Sequence, residues 1–164
     1  MINTLTIFGA GGFAREARHV ANRLPVWGSV ELIDPKQEKQ VLGRTVPVQA
    51  VIGIGDPATI KKVYRKASKS DYVRWVNLIH PNVDRGHPVR IGVGNVMCSH
   101  VSLTVGLVIG SCNIFNLNCT VGHDCAIGDF CVIAPGAHLS GNVTLKDEVY
   151  VGSGAVILEG VTVG

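Results

Sequence analysis

Every sixth residue from Ile91 to Val163 is large and apolar: Ile91, Met97, Leu103, Ile109, Phe115, Val121 and onward through Ile157 and Val163, thirteen positions without a slip. Helices repeat at about 3.6 residues and strands at about 2, so neither alone carries this period. The residue four places after each is mostly small or β-branched, as at Val101, Cys119, Cys125, Cys131, Ala137 and Val143. Two positions in each hexapeptide therefore point inward, separated alternately by a short gap and a long one. The short gap is a strand, with side chains alternating in and out. The long gap breaks that alternation and must hold a corner; Gly, Asn and Asp are frequent in it, as a corner with positive φ requires. Three hexapeptides close one triangular coil. From about Val89 to Gly164 the chain reads as a hexapeptide-repeat parallel β-helix of about four coils.

This phase assigns otherwise ambiguous residues. Cys119, Cys125 and Cys131 fall in successive small inward slots, where they serve as packing atoms rather than metal or redox groups. Asn95 and Asn113 lie one coil apart and should stack as a buried amide ladder. Val161 to Gly164 are still in phase, so an open edge is expected there, covered by partner subunits or by coils that continue in a longer protein.

Several functional classes are disfavoured. Charged residues are 16% and aromatics 5% of the chain, with 20 glycines, which suits a solenoid with tight corners better than a helical bundle. The net charge is +3, and the main basic cluster, Lys61, Lys62, Arg65, Lys66 and Lys69, has helical spacing after Asp56-Pro57. It reads as a solvated helix face, since no aromatic residues stud it as a nucleic-acid surface would require. The N-terminus lacks the basic region and long apolar core of a signal peptide, and no stretch reaches the roughly 18 apolar residues of a membrane span. Five cysteines without a CxxC pair point to a cytoplasmic protein with reduced thiols and no metal.

Residues 1–78 read differently. Leu5–Phe8, Val30–Ile33, Ala50–Ile54 and Tyr72–Val76 are expected strands, and Ala14–Leu24 and Pro57–Ser68 expected helices, giving a small Rossmann-like parallel sheet. His80-Pro81-Asn82 is the expected hinge into the repeat. Gly9, Gly11 and Gly12 follow the first strand, and Asp34 closes the second. Bare glycine amides at a helix N-terminus can hold a phosphate or pyrophosphate, and Asp34 can accept hydrogen bonds from a ribose or base. The glycine spacing also formally matches a dinucleotide fingerprint, but the domain is about half the size of a full dinucleotide fold, which argues against a nicotinamide-dependent reductase.

His123 and Asp124 lie between inward Val121 and inward Cys125, hence in a corner and not in the core. A histidine beside a carboxylate can be held in one tautomer, as a general base near neutral pH needs. Gly141, one coil on, stacks over His123 at about 4.8 Å, and its N–H is placed to meet a thioester carbonyl or its oxyanion. Asn116 points outward with an amide able to position a polar substrate. His138 also points outward, on the strand leading into the upper corner.

The segments GAGGFARE at 9–16, LID at 32–34, GIGDP at 53–57, IHPN at 79–82, FNLNCTVGHDCAIGD at 115–129 and IAPGAHLSGNVTL at 133–145 together resemble the left-handed β-helix sugar acyltransferases of the NeuD/PglD type. The resemblance covers essentially the whole chain. It implies a left-handed coil over residues 79–164, a nucleotide-sugar-binding domain over 1–78, acetyl-CoA as acyl donor, and a homotrimer with active sites between neighbouring prisms. His123 falls on the family's catalytic base, Asp124 on the carboxylate that orients it, and Asn116 on a substrate-side asparagine. Gly141 falls on the glycine whose amide holds the acetyl carbonyl, and Gly152 and Ser153 fall near the coenzyme A channel. Two departures are visible. Val132 stands where many relatives have a second histidine, and relatives continue past GVTVG with further coils that help wall the coenzyme A site. The expected function is acyl transfer to an amine or hydroxyl of a nucleotide-linked sugar, or of a sialic-acid-like sugar, for surface glycan synthesis. A non-catalytic sugar-nucleotide-binding or assembly module is the alternative.

Overall fold

The computed structural model describes residues 3–164. Its first part is a four-stranded parallel sheet: β1 (Thr4–Phe8), β2 (Ser29–Ile33), β3 (Val48–Ile52) and β4 (Val73–Trp75), in the order β2-β1-β3-β4. Helices α1 (Gly12–Ala21), α2 (Glu38–Leu42) and α3 (Pro57–Ala67) connect the strands. The short α2 has no counterpart among the expected elements. Asp56 caps α3 by accepting from the Thr59 N–H at 2.8 Å, and Pro57 occupies the first turn, where its missing N–H costs nothing.

The second part is a three-sided prism with five parallel strands on each face. Leu78–Ile79, Ile114–Phe115 and Val132–Ile133 lie on the first face, Ser102–Leu103, Thr120–Val121 and His138–Leu139 on the second, and Leu107–Ile109, Ala126–Ile127 and Thr144–Leu145 on the third. Each strand pairs with its equivalents in the adjacent coils, for example Phe115 with Ile133 and Val121 with Leu139. The inward residues form one continuous core from Met97 to Val151.

The prism therefore runs close to five coils, one more than the four expected. The extra coil starts at Leu78–Ile79 and Asp84–Arg85. The sequence pattern does not reveal it, because the Asp84–Arg85 strand is exposed and carries no apolar side chain. His80-Pro81-Asn82 is correspondingly a corner of this coil rather than a hinge: the His80 N–H donates to the Met97 carbonyl at 3.0 Å and its side chain is buried.

Positive φ recurs every sixth residue, at all twelve positions from Gly94 to Gly160, and seven of these are not glycine. Each non-glycine residue there costs roughly 1–2 kcal/mol of backbone preference. The offset comes from ladders between coils, where an inward or corner side chain accepts from the backbone one coil away. Asn77, Asn95 and Asn113 stack so that Asn77 Oδ1 accepts from Asn95 N at 2.9 Å, Asn95 Oδ1 from Asn113 N at 2.9 Å, and Asn113 Oδ1 from Cys131 N at 2.7 Å. The expected amide ladder is present, with Asn77 as an additional rung.

The α/β sheet and the prism are joined by apolar packing. The outward side chains of Val96, Ile114 and Val132 on the first face are all buried. Ile114 and Val132 continue the cluster of Phe8, Ile52 and Ile60, while Val96 and Leu78 continue that of Leu5, Ile7 and Ala17. Tyr64 of α3 packs on Phe130 with ring centroids 5.3 Å apart, and Lys61 pairs with Glu148 across the same junction. Val132 is thus part of this junction, where an imidazole would be buried in an apolar cluster.

All five cysteines are free and buried. Burial pushes the thiols of Cys98, Cys112 and Cys119 up to about 12 and that of Cys131 to about 11. Iodoacetamide at pH 8 should accordingly leave the cysteines of the native protein unmodified over a period in which the unfolded chain is fully labelled, as read by mass spectrometry. Replacing Asn113 by Ala removes the acceptor for a buried Cys131 N–H, and should destabilise the fold by about 1–3 kcal/mol in urea unfolding.

Candidate functional site

His123 and Asp124 occupy the corner between the second and third faces. Asp124 has φ +59°, the left-handed conformation that the six-residue repeat imposes on every corner. His123 Nδ1 lies 3.0 Å from Asp124 Oδ2. With Nδ1 donating to the carboxylate, Nε2 is left as the unprotonated, proton-accepting nitrogen. The His123 side chain is 52% exposed and that of Asp124 61%, so more than half of the pair's surface is open to water in a single chain.

The coil above meets the pair through a glycine. A Cβ on Gly141 would lie 2.5 Å from His123 Cε1 and Nε2, so the imidazole packs directly against the Gly141 backbone, and only glycine leaves room for it. The next residue, Asn142, donates its N–H to the His123 carbonyl at 2.8 Å. Among the described residues, the Gly141 N–H donates to no backbone carbonyl. It is thus an open donor in the same corner as the histidine. The coil below also contributes a glycine, Gly106, against which the Asp124 carboxylate rests. Gly106 is not among the residues expected from sequence. The signal for it is the repeat itself, since Gly106 lies one coil before Asp124 and hence directly under it.

The other expected site residues lie elsewhere. Asn116 is in the corner between the first and second faces, half-buried, with its Oδ1 accepting from Leu117 N at 2.7 Å. Gly152 and Ser153 lie two coils above Asn116 in that same corner. In one chain, then, Asn116, Gly152 and Ser153 form one column, and His123, Asp124 and Gly141 another. His138 projects from the second face and pairs through Nδ1 with Thr120 Oγ1 at 2.9 Å.

The glycine turn is partly corrected. The Gly9 N–H donates to the Ile33 carbonyl at 2.8 Å, and a Cβ there would lie 2.6 Å from the Gly53 carbonyl oxygen. Gly9 is required by close packing of β1 on its neighbours, and its amide is not available to a phosphate. Gly11 and Gly12 are exposed at the start of α1, and a Cβ on either would meet nothing within 4 Å. The Gly9 bridge brings Asp34 beside this turn. Asp34 Oδ1 already accepts from Lys36 N at 2.7 Å and Gln37 N at 3.1 Å, which leaves Oδ2 as the oxygen open to a ligand.

A cleft of about 860 Å³ runs from Gly12 along α1 to the corner column that contains Asn116, with Arg15 and His19 on one wall and His80, His100 and Leu117 on the other. Burial holds the His80 imidazole below its ordinary value, and the neighbouring charges of Arg23, His19 and His100 act in the same direction. Arg15 and Arg23 line the cleft together with the carboxylate of Glu16. Among the described residues, no group of three or more His, Cys, Asp or Glu is placed to hold a metal ion, and no helix is long and apolar enough to cross a membrane.

No family model matches the sequence. The chain is 30% identical over 179 aligned positions to GDP-perosamine N-acetyltransferase of Escherichia coli O157:H7, an alignment covering 98% of this chain and 80% of that protein. Its structure superposes on the acetyltransferase domain of PglB from Neisseria gonorrhoeae, solved with acetyl coenzyme A, with a TM-score of 0.91, 26% identity, and coverage of 99% of this chain and 85% of that one. PerB from Caulobacter crescentus, solved with CoA and GDP-perosamine, shares the fold with a TM-score of 0.80 at 22% identity, over 99% of this chain and 92% of that one. On this relationship and the stacked parallel prism, the chain belongs to the left-handed β-helix sugar acetyltransferases.

Proposed function

We propose that the protein transfers an acetyl group from acetyl-CoA to the amine of a nucleotide-linked amino sugar, with His123 as general base. The observation that carries this reading is the His123–Asp124 pair under Gly141: Asp124 occupies Nδ1, the Nε2 edge of the ring packs against the Gly141 backbone, and the Gly141 N–H is not taken up by a backbone carbonyl. An amine is favoured over a hydroxyl because the 30% identical relative is an N-acetyltransferase.

The chemistry follows from the geometry. His123 Nε2 takes the proton from the acceptor nitrogen as that nitrogen bonds to the thioester carbonyl carbon. The carbonyl oxygen becomes an oxyanion, and the Gly141 N–H donates to it. Asp124 stabilises the imidazolium that forms. The C–S bond then breaks, and the departing thiolate recovers the proton from His123. The products are the N-acetylated sugar and free coenzyme A, and the histidine returns to its starting form.

The rest of the site is assembled by the same reading. Residues 1–78 act as a Rossmann-like carrier-binding domain, in which Gly11 and Gly12 bind the diphosphate and Asp34 Oδ2 the nucleoside. Residues 79–164 supply the transfer site. Asn116, Gly152 and Ser153 stand in a different corner from His123, which suits a homotrimer in which that corner of one chain faces the dyad of another, Asn116 toward the sugar and Gly152–Ser153 toward coenzyme A. The exposure of the dyad in a single chain favours the same assembly.

With acetyl-CoA and a panel of nucleotide amino sugars, thiol release should be seen, and His123→Ala should lower kcat at least about a hundredfold while leaving KM nearly unchanged. Turnover near wild type in that variant would remove His123 as the base. Binding of nucleotide sugar with no thiol release from any acceptor would favour the assembly-module alternative. Gly141→Ala, which pushes the imidazole out of its place, should reduce kcat by about tenfold or more with little change in melting temperature.

A further inference from the structure

We infer that Gly106 is a positioning residue for the transfer reaction, acting through Asp124. This rests on the general-base reading of His123. A Cβ on Gly106 would overlap Asp124 Oδ1 and lie 3.3 Å from Asp124 Cγ. Asp124 Oδ1 thus rests against the Gly106 backbone, while its other oxygen, Oδ2, lies 3.0 Å from His123 Nδ1. Among the described residues, the single side-chain hydrogen bond of Asp124 is the one to His123, and the group is mostly exposed. No second partner holds its rotamer; the surface beneath it does.

Backbone conformation alone does not account for a glycine at 106. Its φ is +74°, but seven of the twelve equivalent corners carry His, Cys, Asn, Asp, Phe or Glu at a similar φ. At Gly136, Gly154 and Gly160 a Cβ would meet nothing within 4 Å. At Gly106 it would meet the orienting carboxylate. The dyad is thereby held between two glycines on adjoining coils, Gly141 over the imidazole and Gly106 under the carboxylate.

A methyl group at 106 forces Asp124 to rotate, and His123 loses the acceptor that fixes its tautomer. The variant Gly106→Ala should lower kcat by about tenfold or more and leave both KM values within about twofold. Gly160→Ala serves as the strain control, because it has the same φ of +74° with open space around it; it should leave kcat within about twofold. The ¹⁵N resonances of His123 should show a single Nδ1-protonated neutral tautomer in the wild type and a mixture in Gly106→Ala. In an Asp124→Ala background, adding Gly106→Ala should cause no further loss of kcat. Full additivity of the two losses, or an unchanged His123 tautomer in Gly106→Ala, overturns the inference. If Asp124→Ala itself has wild-type kcat, the orienting role of Asp124 fails instead, which separates the two readings.

Discussion

Backbone hydrogen bonds between successive coils, in one unvarying register, hold the prism together. Each strand donates to the coil above it, as Asn116 N does to the Ile133 carbonyl and Gly122 N to the Leu139 carbonyl. Such bonds form only if every corner turns by the same amount. The left-handed residue at every sixth position provides that turn. Glycine is not needed everywhere, because stacking compensates the strain: Asp129 Oδ1 accepts from Ser111 N at 2.6 Å, and Asp147 Oδ1 from Asp129 N at 2.9 Å. A rigid repeat of this kind has a consequence for chemistry. Residues one coil apart are neighbours with little freedom to move relative to one another, so a single histidine in a corner acquires a fixed ceiling and a fixed floor.

That constraint explains why the candidate site is built from so few residues. Asp124 is next to His123 in sequence, and on a flat strand the two side chains would point to opposite sides. At the corner they meet. The glycines above and below are neighbours through the coil repeat and require no long-range folding coincidence. What the repeat cannot supply is enclosure. The dyad is more than half exposed, and the hollow on the same edge, lined by Pro88, Arg90, Gly106 and Leu107, lies one coil below it. A cleft of about 860 Å³ lies at a different corner, where α1 meets the first coils.

The α/β sheet and the prism are joined by a patterned exception to the repeat. Outward positions of a solenoid are ordinarily polar. On the first face, Leu78, Val96, Ile114 and Val132 are apolar in four successive coils and buried, because the α/β layer covers them. Above the layer, the equivalent Tyr150 is exposed. Burial of these four side chains contributes on the order of 1.5–3 kcal/mol each, and fixes the glycine turn and the cleft relative to the prism.

The six-residue period by itself determined the coil, the inward slots of the cysteines, the amide stack of Asn95 and Asn113, and the place of His123, Asp124 and Gly141 in one corner. It could do so because in a solenoid the spatial neighbours of a residue are at constant sequence separation. Where the period is broken the sequence is silent: the Asp84–Arg85 strand has no apolar residue to mark it, so the first coil has no periodic signature. Interactions off the repeat were likewise decided only by the tertiary structure. Gly9 has its amide taken up by Ile33 and its Cβ space by Gly53, contacts between strands whose separation no local pattern encodes. The role of Val132 in the junction depends on what covers its face, whereas the separation of Asn116 from His123 into adjoining corners already follows from their seven-residue spacing. The reason is physical: periodicity specifies direction relative to the prism axis, while the occupant of the space outside the prism is set by packing between elements distant in the chain.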